Sequence, residues 1–301
     1  MPGSTLASVS GDRPAVPESP AADVRARPSG WRRYRANPWA VAGLGVLGLG
    51  ILVAAAPGLV TSRVPTRMGE TPFAPPSTTH VMGTDDLGRD VLSGVTHGTR
   101  TSLRVGFLAT AIALAIGAAV GAASGYYGGR VDSLLTGLTE WVLVIPRFFL
   151  ALLLVAIWGA TTWNITLAIG ILSWPLTARL IRAEFLTLKE RDFVVAARAV
   201  GLRDRTIILR QILPNALPPA VVNASLEVGN AILLEASMSF LGLGDPSVPS
   251  WGSMLFNAQG FIRDAWWMSL FPGAAIFLTV LSLNLVGDGL TDALNVRLAG
   301  R

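Results

Sequence analysis

The sequence predicts an all-α fold, that of a polytopic membrane protein with six transmembrane helices. Of the 301 residues, 51% are hydrophobic and only 14% are charged, whereas a soluble domain normally carries about 25% charged residues. The charges are also gathered into segments separated by apolar stretches, each close to the roughly 20 residues that a bilayer-spanning helix needs. The sequence contains no cysteine, which excludes disulfides, thiolate metal sites and cysteine nucleophiles.

The N-terminal segment divides into a tail and a first span. Residues 1–30 are rich in proline, alanine and serine, a composition that cannot bury a core, so we predict a disordered tail there. Residues 31–60 follow as one unit. Its first part, 31–38, combines aromatic residues with arginines, which is typical of an interfacial segment that meets anionic lipid. The charge-free stretch after it predicts the first transmembrane helix at 39–60.

The rest of the chain alternates between loops and apolar stretches. A polar, proline-containing segment predicts a long external loop over 61–100, and residues 244–265 form a second sizeable loop. A charged stretch over 182–214 is too polar to cross a membrane. A core of five helices is predicted within 101–292, and a short tail over 293–301. Spans two to six are predicted at 102–125, 134–158, 163–182, 219–241 and 267–288.

The distribution of positive charge predicts the orientation. Most of the 24 lysine and arginine residues fall on the side of the membrane that holds both termini and the 182–214 loop. Because cytoplasmic loops carry an excess of lysine and arginine, we predict that both termini are cytoplasmic. The 61–100 loop then lies outside the cell.

The 182–214 loop carries the clearest pattern. Asp192 to Gly201 predicts a short helix, in which Phe193, Ala197 and Val200 form one apolar stripe. Gly201 is placed to end this helix in the left-handed conformation. Short helices with small residues suit insertion into a groove on a cytoplasmic partner, and the alternative is an ordinary positively charged cytoplasmic loop.

A second short helix is predicted over 203–212, ended by Leu213-Pro214. Ala196-Ala197, Gly201 and Leu213-Pro214 together resemble the signature loop of permease subunits in ATP-binding cassette (ABC) importers, with Val195 in place of its usual glutamate. In that family the loop forms the coupling helix that docks on the ATPase. The resemblance implies an ATPase-coupling site at Asp192, Phe193, Val194, Ala196, Ala197, Arg198, Gly201, Leu202, Arg203 and Asp204.

Five further motifs resemble the "C"-type permease of dipeptide, oligopeptide and nickel importers: His80–Asp90, Gly125–Asp132, Ser239–Gly244, Ser250–Ser253 and Asn284–Gly289. The resemblance implies the type I ABC importer permease fold in a bacterial plasma membrane. It also implies three kinds of partner, namely a second homologous permease, two ABC ATPase subunits and an extracytoplasmic solute-binding protein. The residues implied to contact the binding protein are Asp85, Asp86, Arg89 and Asp90.

Lys189 is the only lysine in the chain, and it stands between Leu188 and Glu190. A P-loop needs Gly-Lys followed by Ser or Thr, because that lysine reaches the nucleotide phosphates. The chain therefore cannot build a P-loop, and if transport is ATP-driven the ATPase must be another polypeptide. The chain itself is predicted not to be an enzyme and to bind no cofactor. ATP and magnesium are expected on the partner ATPase subunits.

Polar residues inside the predicted spans are candidates for a pathway or a gate: Glu140, Arg147, Asn223, Asn230 and Glu235. Glu140 and Arg147 lie seven residues apart on span three, so they are expected to face the same way, roughly 10 Å apart along the helix. Intramembrane charges are a functional hypothesis by default. Hydrogen bonds between helices are the structural alternative.

The first external motif allows a metal hypothesis, since His80, Asp85, Asp86 and Asp90 lie close in sequence. Their spacing fits no rigid ligand set, and no metal site is predicted. Thr84 is instead predicted to cap a short helix, with Asp85 and Asp86 in its first turn.

Peptides are the predicted substrate, and nickel chelates or another small solute fit the same architecture. A second hypothesis is an ion-coupled secondary transporter that works alone, supported by the intramembrane charges. A membrane enzyme is the weakest hypothesis, because no nucleophile, base and orienting group form a visible set.

Overall fold

The computed structural model describes residues 30–294, and the predicted tails at 1–30 and 293–301 lie almost entirely outside that range. Every regular element within it is helical, which confirms the all-α prediction. The helices are α1 (Gly30–Ala36), α2 (Pro38–Ala55), α3 (Val91–Tyr127), α4 (Gly129–Val144), α5 (Arg147–Trp158), α6 (Thr162–Leu188), α7 (Asp192–Ala199), α8 (Asp204–Thr206), α9 (Leu213–Met238), α10 (Trp251–Ala258) and α11 (Trp267–Leu294).

Five helical stretches in the described range are long and apolar enough to cross a membrane: α2, α3, α6, the Asp204–Leu243 stretch that contains α9, and α11. Helices α4 and α5 meet the same criterion when taken together, with a bend of 85° at the break between them. The prediction of six spans is therefore confirmed when α4 and α5 are counted together as one broken third span.

The break in the third span lies at Ile145 and Pro146. Ile145 has an extended backbone, with φ −82° and ψ 126°, because proline disfavours the helical region for the residue before it. Arg147 then begins α5 at a steep angle to α4. The prediction that Glu140 and Arg147 share one helical face is wrong, since the two residues lie on different helices.

The loop predicted at 61–100 is shorter than expected, because α3 already begins at Val91. Asp90 caps this helix, its carboxylate accepting a hydrogen bond from the backbone N–H of Ser93 at 3.0 Å. The polar residues that follow belong to a helical extension beyond the apolar stretch. The second predicted loop, 244–265, likewise contains a helix, α10.

The prediction that Leu213-Pro214 ends a helix is also wrong. Asp204–Leu243 is one helical stretch, and a π-helical segment, Ile207–Ile212, precedes α9. Pro214 stands in the first turn of α9, directly after the π-helical segment, and it removes one N–H donor from this continuous stretch. The wider turn of the π-helical segment therefore lets the helix continue through Pro214.

Helices α3 and α6 pack closely through glycines spaced four residues apart. An added Cβ would lie 2.6 Å from Thr177 Cβ at Gly117, and 2.5 Å from the carbonyl oxygen of Ala178 at Gly121. Small residues of this kind let membrane helices approach backbone to backbone. Helix α9 packs against both α3 and α6, and α2 packs against α11.

Candidate functional site

The helix of the 182–214 loop, α7, ends as predicted. Gly201 has φ +79°, the left-handed region that glycine enters without steric cost. The Gly201 N–H donates to the Arg198 carbonyl at 2.9 Å, and the Leu202 N–H donates to the Ala197 carbonyl at 3.1 Å. These two bonds form a Schellman motif. The next helix, α8, starts directly after Arg203, whose carbonyl accepts from the Thr206 N–H at 2.8 Å.

The buried side of α7 differs from the predicted stripe. Val194 is fully buried, packed in one cluster with Phe185, Ile207 and Ile212, and Ala197 borders this cluster. Phe193 and Val200, the other two members of the predicted stripe, are 40% and 82% exposed. The stripe prediction is wrong because Ile207 and Ile212 of the π-helical segment pack against Val194, which lies outside the predicted stripe.

The outward side of α7 is small and apolar. Val195 is 52% exposed, and Ala196 and Ala199 are also exposed. Asp192 is the first residue of the helix, where the positive end of the helix dipole stabilises an acidic side chain. Val195, Ala196, Ala199 and Val200 therefore form an apolar surface that nothing covers within residues 30–294.

Tyr126, at the C-terminal end of α3, connects the 182–214 loop to the membrane helices. Its hydroxyl donates to Asp204 Oδ1 at 2.6 Å, and the Arg198 guanidinium lies 5.5 Å from its ring centroid. Lys189 Nζ adds a bond to the carbonyl of Gly125 at 3.1 Å. Sequence reasoning did not single out Tyr126 or Lys189 as parts of this site, although both Gly125 and Tyr126 stand in a recognised motif.

Arg147 finds a partner that sequence reasoning missed. Its Nη1 donates to Glu227 Oε1 at 2.6 Å and to Ser173 Oγ at 3.2 Å. Asn230 donates to the other oxygen of Glu227 at 3.4 Å. This cluster joins α5, α6 and α9, and of the predicted pathway residues it contains Arg147 and Asn230.

Glu235 lies apart from that cluster, two turns further along α9, and is 2% exposed. Ser239 Oγ donates to its Oε1 at 2.7 Å and Ser102 Oγ to its Oε2 at 3.4 Å. The hydroxyl of Ser102 also accepts from the Trp251 N–H at 3.4 Å. Glu235 therefore links α9 to α3 and to the start of α10.

The remaining pathway candidates are separate from both clusters. Glu140 lines a cavity of about 280 Å³ between α3, α4 and α6, beside Arg179 and Arg182. Arg182 holds Asp132 through two bonds, of 2.6 and 2.7 Å. Asn223 is half-buried on α9.

In the 61–100 loop, Asp90 is contacted by the side chains of Arg63 and His80. Arg63 Nη1 donates to Asp90 Oδ1 at 2.9 Å, and His80 Nδ1 lies 3.0 Å from the same oxygen. Asp85 instead closes a turn, accepting from the backbone N–H groups of Leu87 and Arg89. Burial raises the pKa of Asp85, against these two hydrogen bonds.

The prediction that Thr84 caps a helix is wrong, because Thr84 is buried beneath this loop. Its hydroxyl donates to the Thr71 carbonyl at 2.7 Å and accepts from the Ala74 N–H at 2.8 Å. Asp85, Arg89 and Asp90 line a cavity of about 330 Å³ that reaches the 244–249 loop, and Asp86 is half-buried nearby. No group of three or more metal-ligating side chains occurs within residues 30–294.

Asp245 bonds the loop that follows α9 to the start of α6. Its Oδ2 accepts from the Thr162 N–H and hydroxyl at 2.7 and 2.8 Å, and its Oδ1 accepts from Ser247. Burial opposes ionisation, but these bonds lower the pKa of Asp245 to about 2. The carboxylate therefore stabilises the fold above its ordinary pKa of 3.8, and this contribution is lost as the pH falls through about 2.

Asp245→Asn is expected to lower the melting temperature at pH 7 by a few degrees, on the order of 1 kcal/mol for the lost charge-assisted bonds. The difference from the wild type should stay constant above pH 5 and shrink between pH 4 and pH 2. Thermal unfolding of the detergent-solubilised protein measures both. Asp264→Asn, at an exposed carboxylate of the same external region, is the control, and equal pH profiles for the two variants would contradict this account.

Comparison with known proteins agrees with the resemblance noted in the sequence. Residues 102–300 match the sequence profile of a family described as binding-protein-dependent transport system inner membrane component. The dipeptide transport system permease protein DppC of Escherichia coli K12 is 42% identical over 276 residues, which cover 89% of this chain and 92% of that protein. The glutathione transport system permease protein GsiD of Pectobacterium atrosepticum is 40% identical over 224 residues, 74% of each chain.

Among solved structures, an inward-facing form of the MetNI methionine ABC transporter is similar in fold. The TM-score is 0.51 at 18% identity, and the match covers 65% of this chain and 93% of that one. At this identity the likeness bears on the fold alone, which is that of an ABC importer permease.

Proposed function

This chain belongs to the family of binding-protein-dependent transport system inner membrane components, and we propose that it imports di- or oligopeptides as one permease subunit of an ATP-driven transporter. The family makes it a multi-pass inner membrane protein. The observation that carries the peptide proposal is the similarity, across most of the chain, to permeases named for dipeptide and glutathione transport.

Partner ATPases are proposed to bind ATP and magnesium, because the only lysine here, Lys189, stands in no P-loop. The outward side of α7 supports docking on such a partner, since Val195, Ala196 and Val200 are exposed. The Schellman motif at Gly201 and the contacts of Tyr126 hold α7 on the membrane helices. Movement of the docked ATPases would therefore be passed to α3 and α9.

A second homologous permease is proposed to cover one face of α9. Residues at helical spacing there are left exposed or half-exposed in this chain, namely Asn223, Leu226, Asn230, Leu233 and Ser237. Amides and hydroxyls are poorly tolerated against lipid tails. We therefore place the partner permease, with the solute pathway between the two subunits, against this face.

The external and cytoplasmic sides are assigned from charge and position. We propose that both termini are cytoplasmic, because the positively charged 182–214 loop lies on their side. The solute-binding protein would then dock on the opposite side, at the loop that holds Asp85, Asp86, Arg89 and Asp90. No cofactor is proposed on this chain itself.

Reconstitution of this chain in proteoliposomes, with its second permease, ATPases and binding protein, tests the proposal. Uptake of a radiolabelled dipeptide is expected to require ATP, magnesium and loaded binding protein together. The same liposomes without this chain are the control. Uptake by this chain alone, driven by a proton gradient and indifferent to ATP, would contradict the proposal and favour a secondary transporter.

A further inference from the structure

The ion pair between Arg147 and Glu227 uses only one nitrogen of the guanidinium. Both hydrogen bonds of Arg147, to Glu227 and to Ser173, start from Nη1. Within residues 30–294, Nε and Nη2 make no hydrogen bond to a protein atom. The Nε–Nη2 edge of the arginine, which presents two parallel N–H donors, is therefore open.

The two members of the pair are also buried to different degrees. The Glu227 side chain is 6% exposed, whereas the Arg147 side chain is 34% exposed. Glu227 is held from both sides, since Asn230 donates to its second oxygen. The carboxylate is thus fully engaged, and the accessible charge of the cluster is the positive one.

The open edge of Arg147 lies within the membrane span, where contact between a charged group and lipid tails is unfavourable. Arg147 begins α5 at the break of the third span. Asn230, which is exposed and bonds to the same Glu227, belongs to the α9 face that we assign to the pathway. A cation within a span faces a protein group or a water-filled path. An arginine edge with two free donors fits a carboxylate better than any other biological anion except a phosphate.

We propose that the Nε–Nη2 edge of Arg147 binds the terminal carboxylate of the peptide as it passes through the membrane. This inference rests on the proposed function, peptide import. Peptides of different sequence share their main-chain termini, so a pathway that accepts many of them needs a group that reads a terminus. Glu227 acts as a positioning residue, because it occupies Nη1 and turns the free edge outward.

The test uses the complete transporter in proteoliposomes and two radiolabelled substrates, a dipeptide and its C-terminal amide. Each is supplied at about ten times its measured dissociation constant for the binding protein, so that both are captured almost fully. Wild-type transporter should take up the free acid about tenfold faster than the amide. Arg147→Lys keeps the charge but lacks the two-donor edge, and should reduce this ratio to about 2.

A second variant controls for misfolding. Removal of Arg147 alone would leave the buried Glu227 carboxylate without its cationic partner and destabilise the protein. The double variant R147Q/E227Q has no such charge, and its ratio should fall to about 1. A further measurement uses the absence of cysteine from this chain. Asn230→Cys should be protected from a thiol reagent by the free acid during turnover, and not by the amide.

Three outcomes would overturn the inference. The first is a wild-type ratio of about 1, and the second is an unchanged ratio in both variants. The third is an equal loss of uptake for both substrates together with loss of the second permease from the complex. That result would mean that Arg147 binds a carboxylate of the second permease and not that of the peptide. If the wild-type transporter shows no ATP-dependent uptake of either substrate, the proposed function itself fails.

Discussion

An Ala196→Arg variant is expected to keep ATP hydrolysis in the assembled transporter while its peptide uptake falls about tenfold or more. Ala196 is exposed on the outward side of α7, where a long cation would separate the helix from a partner groove. Ala197 is a poorer choice, because it borders the buried cluster around Val194. Paired measurements of ATPase rate and dipeptide uptake in proteoliposomes give the ratio that reports coupling.

Ala183→Arg is the matched control for this prediction. Ala183 is exposed near the C-terminal end of α6 and lies outside α7, so the same substitution should leave the ratio of uptake to hydrolysis near the wild-type value. If Ala196→Arg also left that ratio unchanged, α7 would not be the docking helix.

A Gly121→Leu variant is expected to lose most of its folded protein. A Cβ at Gly121 would lie 2.5 Å from the carbonyl oxygen of Ala178, 2.9 Å from Ile181 Cβ and 3.0 Å from the Arg182 backbone nitrogen. Two of these atoms belong to the backbone of α6, so relief requires the helices to move apart. Overpacking of this kind costs about 3 kcal/mol or more.

Size-exclusion yield and melting temperature in mild detergent measure this effect. Gly137→Leu on α4 is the control, because an added Cβ there has no neighbour within 4 Å. A Gly121→Leu protein that elutes and melts like Gly137→Leu would show that α3 and α6 are not held in this close contact.

The membrane spans were predictable because their signal is local. A charge-free stretch of about 20 residues marks a span wherever it occurs, and Gly201 marks a helix end through its own conformational freedom. The start of α3 was placed too late, since Val91 to Arg100 are too polar to resemble a membrane helix. Their helical structure depends on the cap at Asp90, which the folded external loop holds in place.

The candidate site was less predictable because its contacts join distant residues. Arg147 was recognised as an intramembrane charge, but its partner Glu227 lies on another helix, 80 residues away in sequence. Pro146 can be recognised in the sequence as a residue that interrupts a helix, but the bend of 85° depends on how α5 packs. Tyr126 reaches Asp204 only because α3 ends beside the cytoplasmic loop, which no spacing in the sequence reveals.

Affinity purification of this chain, tagged, from its native membranes in mild detergent tests the central claim most directly. Mass spectrometry of the purified material is expected to identify a second, homologous permease and P-loop ATPases in stable association with it. Recovery of the chain intact, folded and alone would contradict its assignment as a subunit of an ATP-driven importer.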